Sequence, residues 1–105
     1  MVALKVKVMR YISDDPQPGI VECEFVDAGG RRWSVVEKTA IVSRQHLDAN
    51  TSYPVQGIVA CEIVRRATDK KGREVVTINT ERPWLVESVD GVTQFEVLAD
   101  CLVGM

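Results

Sequence analysis

Apolar and polar side chains alternate along most of this chain, and a period of two predicts strands where a period near 3.6 would predict helices. In the first segment Val2, Leu4, Val6 and Val8 point to one side and Lys5 and Lys7 to the other. A strand is therefore expected over residues 2–11. The run Ser13-Asp14-Asp15-Pro16-Gln17-Pro18-Gly19 ends it, since nearly every residue there is a turn former.

The same alternation predicts three hairpins. Residues 20–27 and 31–37 flank Ala28-Gly29-Gly30, and a three-residue loop sets Phe25 opposite Trp33 and Cys23 opposite Val35. This register gathers Val21, Cys23, Phe25, Trp33 and Val35 on one face. Glu22, Glu24, Arg32 and Ser34 take the other, with Val26 and Val36 as apolar exceptions. A slip by one residue would mix the faces. The next strand, residues 55–66, turns Val59, Cys61 and Ile63 inward. Asp69-Lys70-Lys71-Gly72, read as a four-residue loop, sets Glu62 opposite Asn79, Ile63 opposite Ile78, Val64 opposite Thr77 and Arg65 opposite Val76. Asp90-Gly91 is a strong two-residue turn signal. It pairs Val89 with Val92, Val86 with Phe95 and Trp84 with Val97, so that Trp84, Val86, Phe95 and Val97 share an inward face. Leu85, Glu87, Gln94 and Glu96 then face the other way.

Three connecting stretches complete the pattern. A short strand is expected around Ile41 and Val42, a polar loop over 43–54 with one helical turn near Gln45, and a closing strand through Leu102 and Val103. About seven short strands with regularly spaced turn signals describe an all-β chain. Hairpin-linked strands pair antiparallel, and each sheet has one apolar face to bury. A small, partly closed antiparallel β-barrel is the first expectation and a β-sandwich the second. The 105 residues suit a single domain spanning 1–105, large enough to bury a core without metals or disulfides.

Composition narrows the classes. Hydrophobic residues make up 46% and charged residues 27%, which argues against a disordered chain. The formal net charge is −2 and the pI about 5.4, so nucleic acid is not favoured as a partner by the overall field. Cys23, Cys61 and Cys101 lie far apart. They match neither a disulfide framework nor the paired ligands of a zinc site, and no metal or cofactor is expected. No apolar run reaches the length of a membrane span or a signal-peptide core. A cytoplasmic protein without membrane contact is the expectation.

Candidate chemistry is sparse. His46 is the only histidine, placed in a polar loop, and no Ser or Cys is poised beside it as a nucleophile would require. Cys23 and Cys61 read as core thiols. Glu22 and Glu24 read as a solvated strand face opposite Arg32, and Gly29-Gly30 as a turn, not a phosphate loop. Tyr11 and Tyr53 are expected to be partly exposed. Arg65, Arg66, Lys70, Lys71 and Arg73 cluster around one hairpin, interrupted only by Asp69 and Glu74. Such a basic hairpin can touch phosphates, although charged tips also serve simply to discourage aggregation.

No catalytic residue emerges. The expected function is a non-enzymatic binding or protein-interaction module with a protein partner. A nucleic-acid-binding barrel using the 65–73 hairpin is the first alternative. A small enzyme using scattered carboxylates such as Glu87 and Glu96 is the second. A homodimer through an exposed edge strand, Val2 to Tyr11, is a further option.

Overall fold

The alternating first segment forms β1, Val2–Ser13, and it organises everything after it. The computed structural model describes residues 1–105. The other strands are β2 (Ile20–Val26), β3 (Arg32–Lys38), β4 (Val55–Thr68), β5 (Glu74–Asn79), β6 (Gln94–Leu98) and β7 (Leu102–Gly104). One four-residue helical turn, α1 (Thr39–Val42), follows β3. Every pairing is antiparallel. The path runs β3-β2-β1-β4-β5-β6, with β7 also on β1. The seven strands curl into a half-barrel, as the partly closed barrel expectation required.

The curl has a local cause. β1 carries two register shifts against β2, between Val8 and Arg10 and between Tyr11 and Ser13. β4 carries a third against β5, between Ile63 and Arg65. Each extra residue bends its strand and increases its twist. The two ends of the path then come together without a ladder. Ala28 N donates to the Glu96 carbonyl at 2.8 Å, and Val89 N donates to the Ser34 carbonyl at 2.9 Å. Phe25 and Trp33 pack edge-on against Phe95 at 5.0 and 4.9 Å between ring centroids. Behind these rings lies one core that includes Leu4, Val6, Val8, Val21, Val35, Val59, Val76, Ile78 and Val97.

The β2–β3 register is as expected, with Phe25 opposite Trp33 and Cys23 opposite Val35. Val26 and Val36 are exposed. In β4–β5 the pairs Glu62–Asn79 and Ile63–Ile78 hold, but beyond the bulge Arg65 faces Thr77 and Arg66 faces Val76. The loop is one residue shorter than expected, because Asp69 N already donates to the Arg73 carbonyl.

The expected 84–97 hairpin does not form. β6 pairs with β5 instead, Phe95 against Ile78 and Val97 against Val76. Those partners bury both side chains, which a lone two-strand ribbon could not do. Pro83 lacks a ladder donor. Residues 81–88 fold on themselves, with Leu85 N donating to Glu81 O and Val86 N to Thr80 O. Only the turn survives, as a three-residue loop closed by Ser88 N to Val92 O at 2.9 Å. Trp84 is therefore exposed, not inward.

Two further expectations are corrected. Residues 39–42 are a helical turn, not a strand, and no helical turn forms near Gln45. Thr39 and Val42, three apart, are the residues it buries. And β1 is no edge: it pairs with β2, β4 and β7. The path ends at β3 and β6, so Val2 to Tyr11 is an interior strand, open only at Lys5 and Val6 on one side and beyond Val8 on the other.

Candidate binding surfaces

Three turns share one construction. Asp27, Asp69 and Ser88 each stand three residues before a glycine, Gly30, Gly72 and Gly91, with φ of +87°, +79° and +81°. Glycine adopts that left-handed conformation without a steric penalty. In each turn the leading side chain accepts two backbone N–H groups. Asp27 Oδ1 takes Gly29 and Arg31, Asp69 Oδ1 takes Lys71 and Arg73, and Ser88 Oγ takes Asp90 and Val92. Side chains link the three turns. Arg73 Nη2 donates to the Ala28 carbonyl at 3.2 Å, and Arg31 Nη2 lies 3.5 Å from Asp90 Oδ2.

This arrangement sorts the basic hairpin. Arg73 Nε donates to Asp69 Oδ2 at 2.8 Å, so this cation is spent on the turn itself. Arg66 pairs with Glu74 at 3.1 Å. Arg65, Lys70 and Lys71 are exposed, with no carboxylate within ion-pair distance. The five residues do share one hairpin, but only three of them present unpaired charge.

The second surface is the loop between β5 and β6. Trp84 is 58% exposed and Leu85 59%. Leu85 has a φ of +50°, a region that non-glycine residues seldom enter. The base beneath them is ordered. Thr80 is buried, its N–H donates to the Thr93 carbonyl at 2.8 Å, and its hydroxyl donates to the Val86 carbonyl. Val86 and Ser88 are buried as well. A firmly anchored loop thus holds two large apolar side chains out in water.

The third surface is a groove of about 620 Å³ along the outer face of β1. β2 pairs with β1 down to Lys7, and β7 takes over at Leu4. Lys5 and Val6 pair only with β4, and the groove opens there. Its lining includes Lys5, Lys7, Met9, Val26, Arg32 and Gln56. Sequence reading missed this site. The signal was the length of β1, twelve residues against seven in β2, which no single hairpin partner can cover.

The remaining candidates fall apart in space or are absorbed by structure. His46 is exposed, with Nε2 3.2 Å from Asp48 Oδ2. Glu22 and Glu24 pair with Arg10 at 2.8 Å and Arg32 at 3.8 Å. Glu87 and Glu96 are exposed, and neither lines any of the three main clefts. Tyr11 and Tyr53 are half-buried and donate to Asp14 Oδ1 and the Asp48 carbonyl, at 2.7 and 2.8 Å. The cysteines are all unbridged. No helix is long and apolar enough to cross a membrane.

Neither a scan against protein-family models nor searches of curated proteins and of solved structures find a match to this chain.

Proposed function

We propose that this chain is a non-enzymatic protein-interaction module that engages its partner through the Trp84–Leu85 loop. The observation that carries the reading is the exposure of both side chains on a loop whose base is buried and hydrogen-bonded. Exposing Trp and Leu to water is unfavourable, and their burial in a partner's pocket returns that cost. Trp is also the residue type most enriched among those that dominate interface energetics. Because the loop is already ordered, docking loses little conformational freedom. Leu85 in a sparsely populated backbone conformation fits the pattern of strain held at functional sites. The complementary partner is a protein surface with an apolar cleft.

The test is affinity capture from native lysate with the wild-type chain and a Trp84→Ala/Leu85→Ser variant, each with and without nuclease. A protein retained by the wild type, lost by the variant and indifferent to nuclease is the expected result. Identical capture by both chains overturns the reading. Partners that vanish with nuclease and persist with the variant transfer the function to the basic hairpin and nucleic acid. In that case replacing Arg65, Lys70 and Lys71 with Glu abolishes capture.

A further inference from the structure

The groove on β1 combines apolar surface with an excess of positive charge, offset only by Glu24 opposite Lys7. Along its walls stand three cations, Lys5, Lys7 and Arg32, and one anion, Glu24. Glu24 is engaged by Arg32 at 3.8 Å. Lys5 and Lys7 are exposed and make no ion pair. The lining is thus formally +2 (three cations less one anion) in a chain whose net charge is −2.

Lys5 and Lys7 project from the same face of β1, roughly 7 Å apart along the strand. Each ammonium offers three donors and no acceptor. Met9, Val26 and Pro54 supply apolar walls beside them. The volume of about 620 Å³ falls within the roughly 300–1,000 Å³ typical of small-ligand sites. Strand addition is excluded by length. Only Lys5 and Val6 lie open between β7 and β2, whereas strands usually run about five residues.

We propose that this groove binds a small amphipathic carboxylate, its charged head held between Lys5 and Lys7 and its apolar body laid along Met9, Val26 and Pro54. The site is distinct from the Trp84 loop and does not depend on the interaction reading.

The test titrates the isotope-labelled full chain with octanoate and, separately, with octylammonium, followed by amide NMR shifts. Octanoate is expected to give saturable shifts at Lys5, Lys7, Met9, Val26 and Gln56. Octylammonium, with the same tail, should bind about tenfold more weakly or worse, because charge-assisted contacts are lost and like charges face each other. A Lys5→Gln/Lys7→Gln variant, altered only at exposed positions, should abolish that preference while keeping the wild-type melting temperature. Absence of saturable shifts with octanoate overturns the proposal. So does equal binding of both probes by the wild type, which would mark a merely apolar surface. Tighter binding of a hexaglutamate peptide than of octanoate assigns the groove to acidic protein segments instead and likewise overturns it.

Discussion

Arg73 ties two turns together: its Nη2 donates to the Ala28 carbonyl at 3.2 Å while its Nε donates to Asp69 Oδ2 at 2.8 Å. One side chain thus links the β4–β5 tip to the β2–β3 tip, and the Ala28 N–H reaches on to Glu96 in β6. This bridge closes one rim of the half-barrel where no strand ladder does. Asp69 is the pivot, since it also accepts the Lys71 and Arg73 backbone N–H groups.

The pivot has a pH signature. Hydrogen bonding from the Arg73 backbone, above all, holds the Asp69 carboxyl below the usual range, and its side chain and charge add to this. Asp48 is lowered too, chiefly by the Asn50 N–H. A depressed folded-state pKa contributes stability that is present above the unfolded value, near 3.9, and is lost as pH falls through the folded value. The melting temperature is therefore expected to drop as pH falls below about 4. Asp69→Asn should flatten part of that drop. An acid limb of the melting curve identical in wild type and variant would remove Asp69 from this role.

Gly57 permits the close approach of α1 to the sheet. A Cβ at this position would sit 2.7 Å from the Val42 carbonyl oxygen and 2.8 Å from Val8 Cγ2. One of those neighbours is backbone and the other is a fully buried side chain, so neither yields easily. Gly57→Ala is expected to destabilise by about 1–3 kcal/mol through overpacking. Chemical denaturation measures it, and an unchanged midpoint would contradict the packing argument.

How far the sequence reveals this fold depends on where each decision is made. The β2–β3 hairpin is legible because its turn and its alternation act on the same few residues, and its register is as expected. The Val64 bulge is not, because the outer face of β4 is mixed there and a one-residue slip costs little locally. The 84–97 hairpin misleads for the opposite reason. Its local signals agree, but β5 offers Phe95 and Val97 a better-buried partner through Ile78 and Val76. Tertiary burial overrides local turn chemistry. The basic hairpin is legible as a cluster, yet which cations stay free is decided by Asp69 and Glu74 in space. The groove is set by where two strands part on β1, which periodicity does not encode.

The two tryptophans should behave as opposites. Trp33 is 8% exposed, its Nε1 donates to Asp27 Oδ2 at 2.9 Å, and the Arg31 guanidinium stacks 3.7 Å from its ring. Trp33→Ala is expected to cost about 3–5 kcal/mol, as for other buried aromatic truncations. Trp84→Ala should leave stability within about 0.5 kcal/mol, as exposed substitutions do. In single-tryptophan variants, Trp33→Phe leaves a red-shifted emission that iodide quenches readily, and Trp84→Phe leaves a shielded one. Shielded emission from Trp84 would mean that the loop folds back onto the barrel.

The three thiols should react in a fixed order. Burial pushes the Cys23 thiol up to about 12 and the Cys61 thiol up to about 11. Cys101 is also raised, first by burial and then by Asp100, with Lys5 opposing, but it remains half-exposed beside the groove. The thiolate is the reactive species, so Cys101 should modify first under native conditions, and Cys23 and Cys61 only as the barrel opens. Mass spectrometry of timed alkylation resolves the order. For Cys23 and Cys61 the folded-state pKa is raised, so their contribution to stability is complete below the unfolded value of about 8.5 and is lost as pH climbs from there toward the folded values. The melting temperature should fall over that alkaline range, and Cys23→Ala/Cys61→Ala should fall less. Rapid native labelling of Cys23 would show instead that β2 separates from β1 readily, and would place the weakest part of the barrel at the bulges on β1.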